Sequence, residues 1–306
     1  MRELPTSRLR ADRRLRARIA ASPVVWIGLL CEPVVVSDDD SPLQAWGSGM
    51  QVSGASLRGD VVLRDAGPWS VAVLALLRHF EVVGFDGAPR VVGSGFDADG
   101  REMIRFVPGS SPHPSPWSGE ELYRIGDLLR RAHSAAATFR VHNAEWRSWF
   151  GRDLPGDDAV IGHCDPGPWN IVRKPDGKLA LIDWEYAGPT DAIWELAHAA
   201  WLNAQLHDDD IAEMHGLPDV EARARQVGEL LDGYRLGRAR RQGFVARMIE
   251  FAVHSARAEA VTHAVTATST EAVTAAGYPL LWAITWRTRS AAWMATHRQT
   301  LERAIE

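Results

Sequence analysis

The most constraining feature of the sequence is a set of polar side chains arranged around a short hairpin in the second half of the chain. His163, Asp165 and Asn170 form a His-x-Asp-x-x-x-x-Asn pattern, and Asp183 follows Asn170 by thirteen residues. The turn at 174–177 has apolar residues on both sides, which predicts two antiparallel strands. Because such a hairpin brings its entry and exit side by side, Asn170 and Asp183 are expected to face one point.

This set of side chains favours a magnesium site over other kinds of chemistry. An amide oxygen from Asn170 and a carboxylate from Asp183 suit Mg²⁺, which takes its remaining ligands from water and phosphates. Asp165 is then placed to accept a proton from an attacking hydroxyl. A metal-dependent hydrolase using His163 and Asp165 is a weaker alternative, because the stretch 145–190 contains no further histidine.

The order of patterns along the chain predicts an α+β fold with two lobes. Residues 40–109 read as a small, β-rich N-lobe with one helix, and residues 118–306 read as a larger helical C-lobe. The proline-rich stretch between them, 110–117, reads as a hinge or linker. Residues 1–39 form a basic N-terminal extension, interpreted as a surface helix or a mobile arm, because Pro23 interrupts the apolar run that a secretion signal would need.

Composition excludes several classes of protein. The 306 residues carry a net charge of −5, which argues against a nucleic-acid partner. No apolar run reaches the roughly 18–20 residues of a membrane-spanning helix. The two cysteines, Cys31 and Cys164, cannot form a disulfide framework, so a reduced cytoplasmic setting is expected.

With these motifs in place, the chain resembles the aminoglycoside phosphotransferase family, relatives of the protein kinases that phosphorylate small molecules. That family carries His-Gly-Asp-x-x-x-x-Asn and then Ile-Asp-x-Glu, whereas this chain has Cys164 at the glycine position. The resemblance implies a two-lobed protein-kinase-like fold. It also implies an enzyme that uses ATP and Mg²⁺ to transfer the γ-phosphoryl group to a hydroxyl of an aminoglycoside, choline or another metabolite.

The resemblance assigns roles to the matching positions of this sequence. Asp165 resembles the catalytic base, and Asn170 and Asp183 resemble the metal ligands. His163 resembles the histidine that braces the catalytic loop. Asp191 resembles the aspartate that caps the following helix and ties the loop down from behind.

The nucleotide-binding residues are expected in the N-lobe. Gly47 and Gly49 fit a turn whose backbone amides approach phosphates. The strand containing Arg105 and Val107 would be the hinge, with its backbone reading the adenine edge as the resemblance implies.

Lysine usage raises a question about the phosphates. The only lysines are Lys174 and Lys178 at the hairpin turn, so the N-lobe strand that carries a phosphate-contacting lysine in kinase-like proteins has Arg64 instead. Arginine keeps the charge but has a different reach and a planar fork. Two interpretations stay open, in which Arg64 binds phosphate or is a solvated strand residue.

The acceptor side is less defined by the sequence. Aminoglycosides and choline are cations, for which an acidic or aromatic pocket is expected, and Asp208, Asp209 and Glu185 are the candidate contacts. The alternative to an enzyme is a catalytically weak or silent kinase-like protein that binds a ligand or confers immunity. The missing lysine motivates that alternative, whereas the intact base and metal residues favour an enzyme.

Overall fold

The N-lobe is a four-stranded antiparallel sheet with one helix packed against it. The computed structural model describes residues 55–270 and 279–306. The strands are β1 (Ser56–Arg58), β2 (Val61–Arg64), β3 (Val91–Phe96) and β4 (Glu102–Arg105), in the spatial order β1-β2-β4-β3. Helix α1 (Ser70–Val82) connects β2 to β3 and buries Val73, Leu77 and Phe80 completely, at the three- and four-residue spacing of one helix face.

The C-lobe is mostly helical and contains two small strand pairs. Its helices are α2 (Gly119–Ala136), α3 (Ala192–Asn203), α4 (Asp209–His215), α5 (Val220–Tyr234), α6 (Arg238–Arg241), α7 (Phe244–Thr262), α8 (Leu280–Thr296) and α9 (Arg298–Ile305). Strand β5 (Ala159–Gly162) pairs with β8 (Gly188–Asp191), and β6 (Ile171–Arg173) pairs with β7 (Leu179–Leu181).

The centre of the C-lobe is helix α3, in which every residue is buried. Helices α2 and α5 lie beside it. They pack closely against each other because glycines occupy the contact between them. A Cβ atom on Gly233 would lie 1.8 Å from the carbonyl oxygen of Tyr123, and one on Gly126 would lie 2.0 Å from that of Leu230. Any larger residue at either position would push the two helices apart.

The segment between the lobes is hydrogen-bonded to the β6–β7 hairpin. The backbones of Ser110 and Arg173 exchange two hydrogen bonds, of 3.2 and 2.9 Å. The Ser111 hydroxyl donates to the carbonyl oxygen of Pro168 at 2.7 Å. The stretch predicted as a linker therefore contacts the loop on which the candidate base lies.

A second junction between the lobes lies at the hairpin turn. Asp86, just beyond α1, accepts hydrogen bonds from Lys178 at 2.9 Å and from Arg131 at 3.0 Å. These bonds, the Lys178 bond foremost, lower the pKa of Asp86 to about 2. The backbone N–H of Leu181 also donates to the carbonyl oxygen of Gly87 at 2.9 Å. The far end of α1 is thus fixed to the C-lobe.

The structure confirms the predicted α+β arrangement of a small sheet-containing N-lobe and a larger helical part. It also confirms the hairpin, in which Ile171 pairs with Leu181 and the Ile182 N–H donates to the carbonyl oxygen of Asn170 at 2.9 Å. The predicted extension at 1–39 lies outside the described residues. Within the two described ranges, no helix combines the length and the apolar character needed to cross a bilayer.

Candidate active site

The loop that carries Asp165 leaves β5 and is held by His163. The Nε2 of His163 lies 2.8 Å from the carbonyl oxygen of Ile182, and its ring centroid is 4.7 Å from that of Trp184. The backbone N–H of Asp165 donates to Nδ1 of the same imidazole at 3.3 Å. Since Nδ1 accepts, Nε2 carries the proton and donates to Ile182. The imidazole therefore links the loop to the end of the hairpin.

Behind the loop, Glu195 of α3 holds its backbone. One carboxylate oxygen of Glu195 accepts the N–H of Cys164 at 2.6 Å, and the other lies 2.5 Å from Nε2 of His133. The other nitrogen of His133 lies 2.8 Å from the Tyr234 hydroxyl. Burial acts to raise the pKa of Glu195, but His133 and the Cys164 N–H outweigh it, so the pKa is lowered. Glu195 is thus a buried, charged anchor for the loop.

Asp165 lies on this loop, and two side chains donate hydrogen bonds to its carboxylate. Asn170 donates from Nδ2 to Oδ2 of Asp165 at 2.8 Å, and Trp169 donates to the same oxygen from Nε1 at 3.4 Å. Burial raises the pKa of Asp165, and the charge of Asp183 adds to the effect. A carboxylate with a raised pKa is a stronger proton acceptor than an ordinary aspartate.

Asp183 follows the hairpin in the left-handed conformation, with φ of +60°. This conformation is uncommon for a residue other than glycine and here turns the chain sharply at the strand end. The side chain is 43% exposed, and its Oδ1 accepts a hydrogen bond from Nη1 of Arg64 at 2.8 Å. Asp183 therefore joins the hairpin of the C-lobe to strand β2 of the N-lobe.

Arg64 is a buried, paired residue, so its interpretation as a solvated strand residue is wrong. It is 5% exposed, and its Nε donates to Glu102, its cross-strand partner in the β2–β4 register. Burial acts to lower the pKa of Arg64, but Asp183 and Glu102 outweigh it and raise the pKa. One guanidinium nitrogen, Nη2, has no hydrogen-bond partner among the described residues.

Glu102 is the site residue that the sequence analysis missed. It is 1% exposed and stands at the start of strand β4. In the sequence, Glu102 is marked only by being a lone carboxylate beside the apolar residues of that strand. The identity of its partner depends on the strand register. Glu102 gives the guanidinium of Arg64 a carboxylate partner from the neighbouring strand.

The donor set fits a divalent metal ion. Asn170 uses its amide nitrogen on the backbone and side chain of Asp165, at 3.0 and 2.8 Å, which leaves the amide oxygen for a ligand. Asp183 gives one oxygen to Arg64 and retains the other. Two oxygen donors suit a hard cation that takes its other ligands from water and phosphate. No cluster of three or more histidine, cysteine, aspartate or glutamate side chains able to hold a metal occurs in the described ranges.

Two of the predicted acceptor carboxylates accept hydrogen bonds from other side chains of the fold. Asp208 accepts from Arg289 at 2.7 Å, and Asp209 accepts from the indole of Trp293 at 2.9 Å. Asp208 also caps α4 by accepting the backbone N–H of Asp209 at 3.1 Å. Both carboxylates are therefore engaged within the fold.

Glu185, the third candidate acceptor contact, forms an ion pair with Arg147. The guanidinium of Arg147 lies 4.7 Å from the ring centroid of Trp69 and 4.4 Å from that of Tyr186. Burial, followed by the charge of Asp183, raises the pKa of Glu185 to about 7. This carboxylate therefore lies close enough to Asp183 to feel its charge.

The remaining predicted site residues occupy separate places. Asp191 caps α3, accepting the N–H groups of Ile193 and Trp194 at 2.9 and 3.2 Å. Arg105 is exposed and ion-paired with Asp60 across the sheet.

Of the other predicted nucleotide contacts, one is described and two are not. Val107 is half-buried just after β4. Gly47 and Gly49 lie outside the described residues.

The departure at Cys164 leads to a stability prediction. Cys164 is buried with φ of +69°, a conformation that costs residues other than glycine about 1–2 kcal/mol. Cys164→Gly is therefore expected to be at least as stable as Cys164→Ala, although glycine ordinarily destabilises relative to alanine. Urea unfolding of both variants measures the difference. A Cys164→Ala protein clearly more stable than Cys164→Gly would contradict the expected backbone strain.

Two lobes that bring an aspartate loop, an asparagine and a hairpin-end aspartate to an arginine of the N-lobe sheet define a kinase-like phosphotransferase fold. The profile of the phosphotransferase enzyme family matches residues 111–244. The Trifolitoxin immunity protein of Rhizobium leguminosarum bv. trifolii is 55% identical over 249 residues, which are 81% of this chain and 93% of that protein. The chain belongs to the phosphotransferase family, as the resemblance predicted.

Solved structures agree with the two-lobed fold. A choline/ethanolamine kinase family protein from Mesorhizobium loti aligns over 96% of this chain and 98% of its own, with a TM-score of 0.53 and 19% identity. The amicoumacin kinase hAmiN, in complex with AMP-PNP, Ca²⁺ and Ami, aligns over 81% of this chain and 84% of its own, with a TM-score of 0.53 and 13% identity. These likenesses confirm the kinase-like fold.

Proposed function

We propose that the protein transfers the γ-phosphoryl group of ATP to a hydroxyl of a small molecule, with Mg²⁺ as the metal. The observation that carries the proposal is the meeting of Asp165, Asn170 and Asp183 with the buried guanidinium of Arg64. Because the reaction draws on ATP, we place the protein in the cytoplasm.

In this proposal, Arg64 and the metal share the charge of the phosphates. The unpaired Nη2 of Arg64 is a buried donor, and such a donor is costly unless it gains an acceptor such as a phosphate oxygen. Asp183 and Asn170 would hold Mg²⁺, which would supply positive charge that reduces the repulsion between the phosphates and a nucleophile. The amicoumacin kinase, solved with AMP-PNP and Ca²⁺, supports a nucleotide and a divalent ion in this fold.

Asp165 would orient the acceptor hydroxyl and take its proton. Asn170 and Trp169 hold one carboxylate oxygen, which leaves the other for the acceptor. The raised pKa of Asp165 suits proton transfer from a hydroxyl that becomes acidic as the phosphoryl group arrives. Most of the rate acceleration would come from positioning and charge neutralisation.

The proposal is tested by nucleotide binding and ADP release with the purified protein. We expect ATP with Mg²⁺ to raise the melting temperature, and EDTA to abolish that increase. We also expect ADP release that depends on Mg²⁺. A protein whose melting temperature does not respond to Mg-ATP, or that needs Zn²⁺ and ignores ATP, would refute the proposed phosphotransferase.

A second candidate function is immunity by binding alone, without turnover. It is motivated by the relative named an immunity protein, at 55% identity, and by the Arg64–Asp183 bond, which leaves only one oxygen of Asp183 for a metal. Binding of Mg-ATP with no ADP release across a broad panel of acceptors would favour this second candidate. ADP release above the rate of an Asp165→Asn variant would favour the enzyme.

Glu102 has a predicted role in placing Arg64. Glu102→Gln keeps the shape of the side chain but removes the charge, so Arg64 is drawn toward Asp183 and competes with the metal. We expect KM for ATP to rise about tenfold, with a smaller change in kcat. Steady-state ADP release at several Mg²⁺ concentrations measures both constants.

The matched control is Asp97→Asn, because Asp97 forms an ion pair with Arg101 at the β3–β4 turn of the same sheet. We expect KM for ATP in this variant to equal that of the unmodified protein. A Glu102→Gln protein with the same KM as Asp97→Asn would show that Glu102 does not position Arg64.

A further inference from the structure

A row of aromatic and imidazole rings extends from Asp165 away from the metal side of the cleft. Trp169 donates to Asp165 at 3.4 Å, and the ring centroid of His113 lies 5.8 Å from that of Trp169. The ring centroid of His215 lies 6.3 Å beyond His113. The three rings are half-buried, so each offers part of its surface to a bound molecule. This row begins at the carboxylate group that would receive the acceptor proton.

Buried polar atoms without partners lie beside this row. Nε2 of Gln205 lies 3.3 Å from Nδ1 of His113 and donates to the carbonyl oxygen of Pro114 at 3.2 Å. The amide oxygen of Gln205 and the Nδ1 atoms of His207 and His215 have no hydrogen-bond partner among the described residues. Gln205 and His207 are 1% and 4% exposed. Each unpaired buried polar atom costs about 1–3 kcal/mol, so a bound molecule that pairs them gains affinity.

The side chains of this row are uncharged, and a buried guanidinium bonds to the backbone beside them. Burial lowers the pKa of His113 to about 4, and burial with the neighbouring histidines lowers that of His207, so both are neutral near pH 7. The buried guanidinium of Arg223 donates to the carbonyl oxygens of Gln205 and His207, at 3.3 and 2.9 Å. A cation bound here would face this positive charge.

The nearest run of carboxylates is hydrogen-bonded within the fold. Arg289 donates to Asp208 at 2.7 Å and to Asp210 at 2.6 Å, and the Trp293 indole donates to Asp209 at 2.9 Å. The three histidines are also not a metal site, because the described residues contain no such cluster able to hold a metal ion. Uncharged donors and acceptors, with aromatic surface, are what remain for a ligand.

We propose that Trp169, His113, Gln205, His207 and His215 bind the head group of the acceptor, and that this head group is uncharged and carries hydrogen-bonding groups such as amides or hydroxyls. The site would discriminate against quaternary ammonium and polyamine acceptors. The inference rests on the proposed function for the placing of the acceptor hydroxyl at Asp165. The preference of the site for an uncharged ligand needs no turnover and can be measured by binding alone.

Two probes of similar size separate the alternatives. Choline and N-(2-hydroxyethyl)acetamide each carry a primary alcohol two carbons from the head group, which is a cation in one and an amide in the other. Their dissociation constants are measured by tryptophan fluorescence, for which Trp169 is a reporter in the site, with Mg²⁺ and AMP-PNP present. We expect the amide compound to bind at least about tenfold more tightly than choline. Choline binding as tightly or more tightly, or an amide compound that does not bind saturably, would overturn the proposal.

Variants that add a carboxylate test whether these residues set the preference for an uncharged ligand. Gln205→Glu places a carboxylate among the rings and is expected to shift the ratio of the two dissociation constants toward choline by about tenfold. His215→Glu, at a half-buried position, should shift the ratio in the same direction and covers a failure of the first variant to fold. Gln226→Glu is the matched control, because Gln226 donates to the carbonyl oxygen of Trp117 elsewhere in the C-lobe.

The outcomes of these variants are separate from those of the proposed function. An unchanged ratio in both cluster variants, or an equal shift in Gln226→Glu, would overturn the assignment of these residues. ADP release is measured in parallel on the unmodified protein. If the unmodified protein releases no ADP but shows the binding preference, the phosphotransferase is refuted and the site for an uncharged ligand is supported.

Discussion

Asp165→Asn is expected to lower kcat for ADP release by a factor of about 10² to 10⁴ and to leave the affinity for Mg-ATP within about twofold. Asparagine keeps the shape of the side chain and the bonds from Asn170 and Trp169, which both reach one oxygen of Asp165. It cannot accept a proton from the acceptor hydroxyl. Steady-state ADP release gives kcat, and calorimetric titration with AMP-PNP and Mg²⁺ gives the affinity.

Two further variants make this result specific. Asp157→Asn changes an exposed aspartate just before β5 and should leave both kcat and affinity unchanged. Asp183→Asn removes a carboxylate that we assign to the metal, so it should lose turnover and Mg²⁺-dependent affinity together. If Asp165→Asn kept full activity, Asp165 would not be the base, and a water or another side chain would have to take the proton.

Glu195→Ala is expected to lower the free energy of unfolding by about 3–5 kcal/mol, the usual cost of removing one partner of a buried charge pair. Glu195 is fully buried, and its two oxygens hold the backbone of Cys164 and the ring of His133. Without it, the Cys164 N–H and the imidazole lose their partner in a place that water does not reach. The loop that carries Asp165 should loosen as well.

Urea unfolding measures the loss, and the controls bracket it. Glu195→Gln retains an acceptor for one N–H and should cost less than Glu195→Ala. Glu250→Ala, at an exposed position on α7, should change stability by no more than about 0.5 kcal/mol. If Glu195→Ala unfolded at the same urea concentration as Glu250→Ala, the buried anchor would contribute nothing to stability.

The sequence was sufficient for the parts of the site that lie close together along the chain. The hairpin follows from its turn and its two apolar strands, and antiparallel pairing alone places Asn170 beside the residue before Asp183. The capping role of Asp191 follows in the same way from its position before a helical pattern. Such features depend on local geometry that a motif of fixed spacing already contains.

Features that depend on strand register or on distant segments were not accessible from the sequence. Arg64 and Glu102 meet because β2 and β4 are neighbours in one register, and a shift of one residue would turn Glu102 to the other face. Asp208 looks like an exposed acidic residue until Arg289, from a helix 81 positions later, bonds to it. Periodicity and composition do not contain either partner.

The uncharged cluster beside Asp165 illustrates the same limit. His113 belongs to the segment between the lobes, while Gln205 and His215 lie beyond α3, about 90 to 100 positions later. Each residue alone is an ordinary polar residue in a loop or short helix. Only the packing of the connecting segment against the C-lobe brings these side chains together, and burial, followed by the neighbouring histidines, lowers the pKa of His113 and His207.

The anchoring of the hairpin turn to Asp86 has a practical consequence for experiments on surfaces. Lys174 and Lys178 are the only lysines, and both belong to that turn, about 10 Å along the strands from the end that carries Asn170. With the α-amino group blocked, amine-reactive coupling would attach each molecule through this turn, where the two lobes are already bonded together. A sensor chip prepared in this way would present the cleft and the ring cluster to the solution in a uniform orientation.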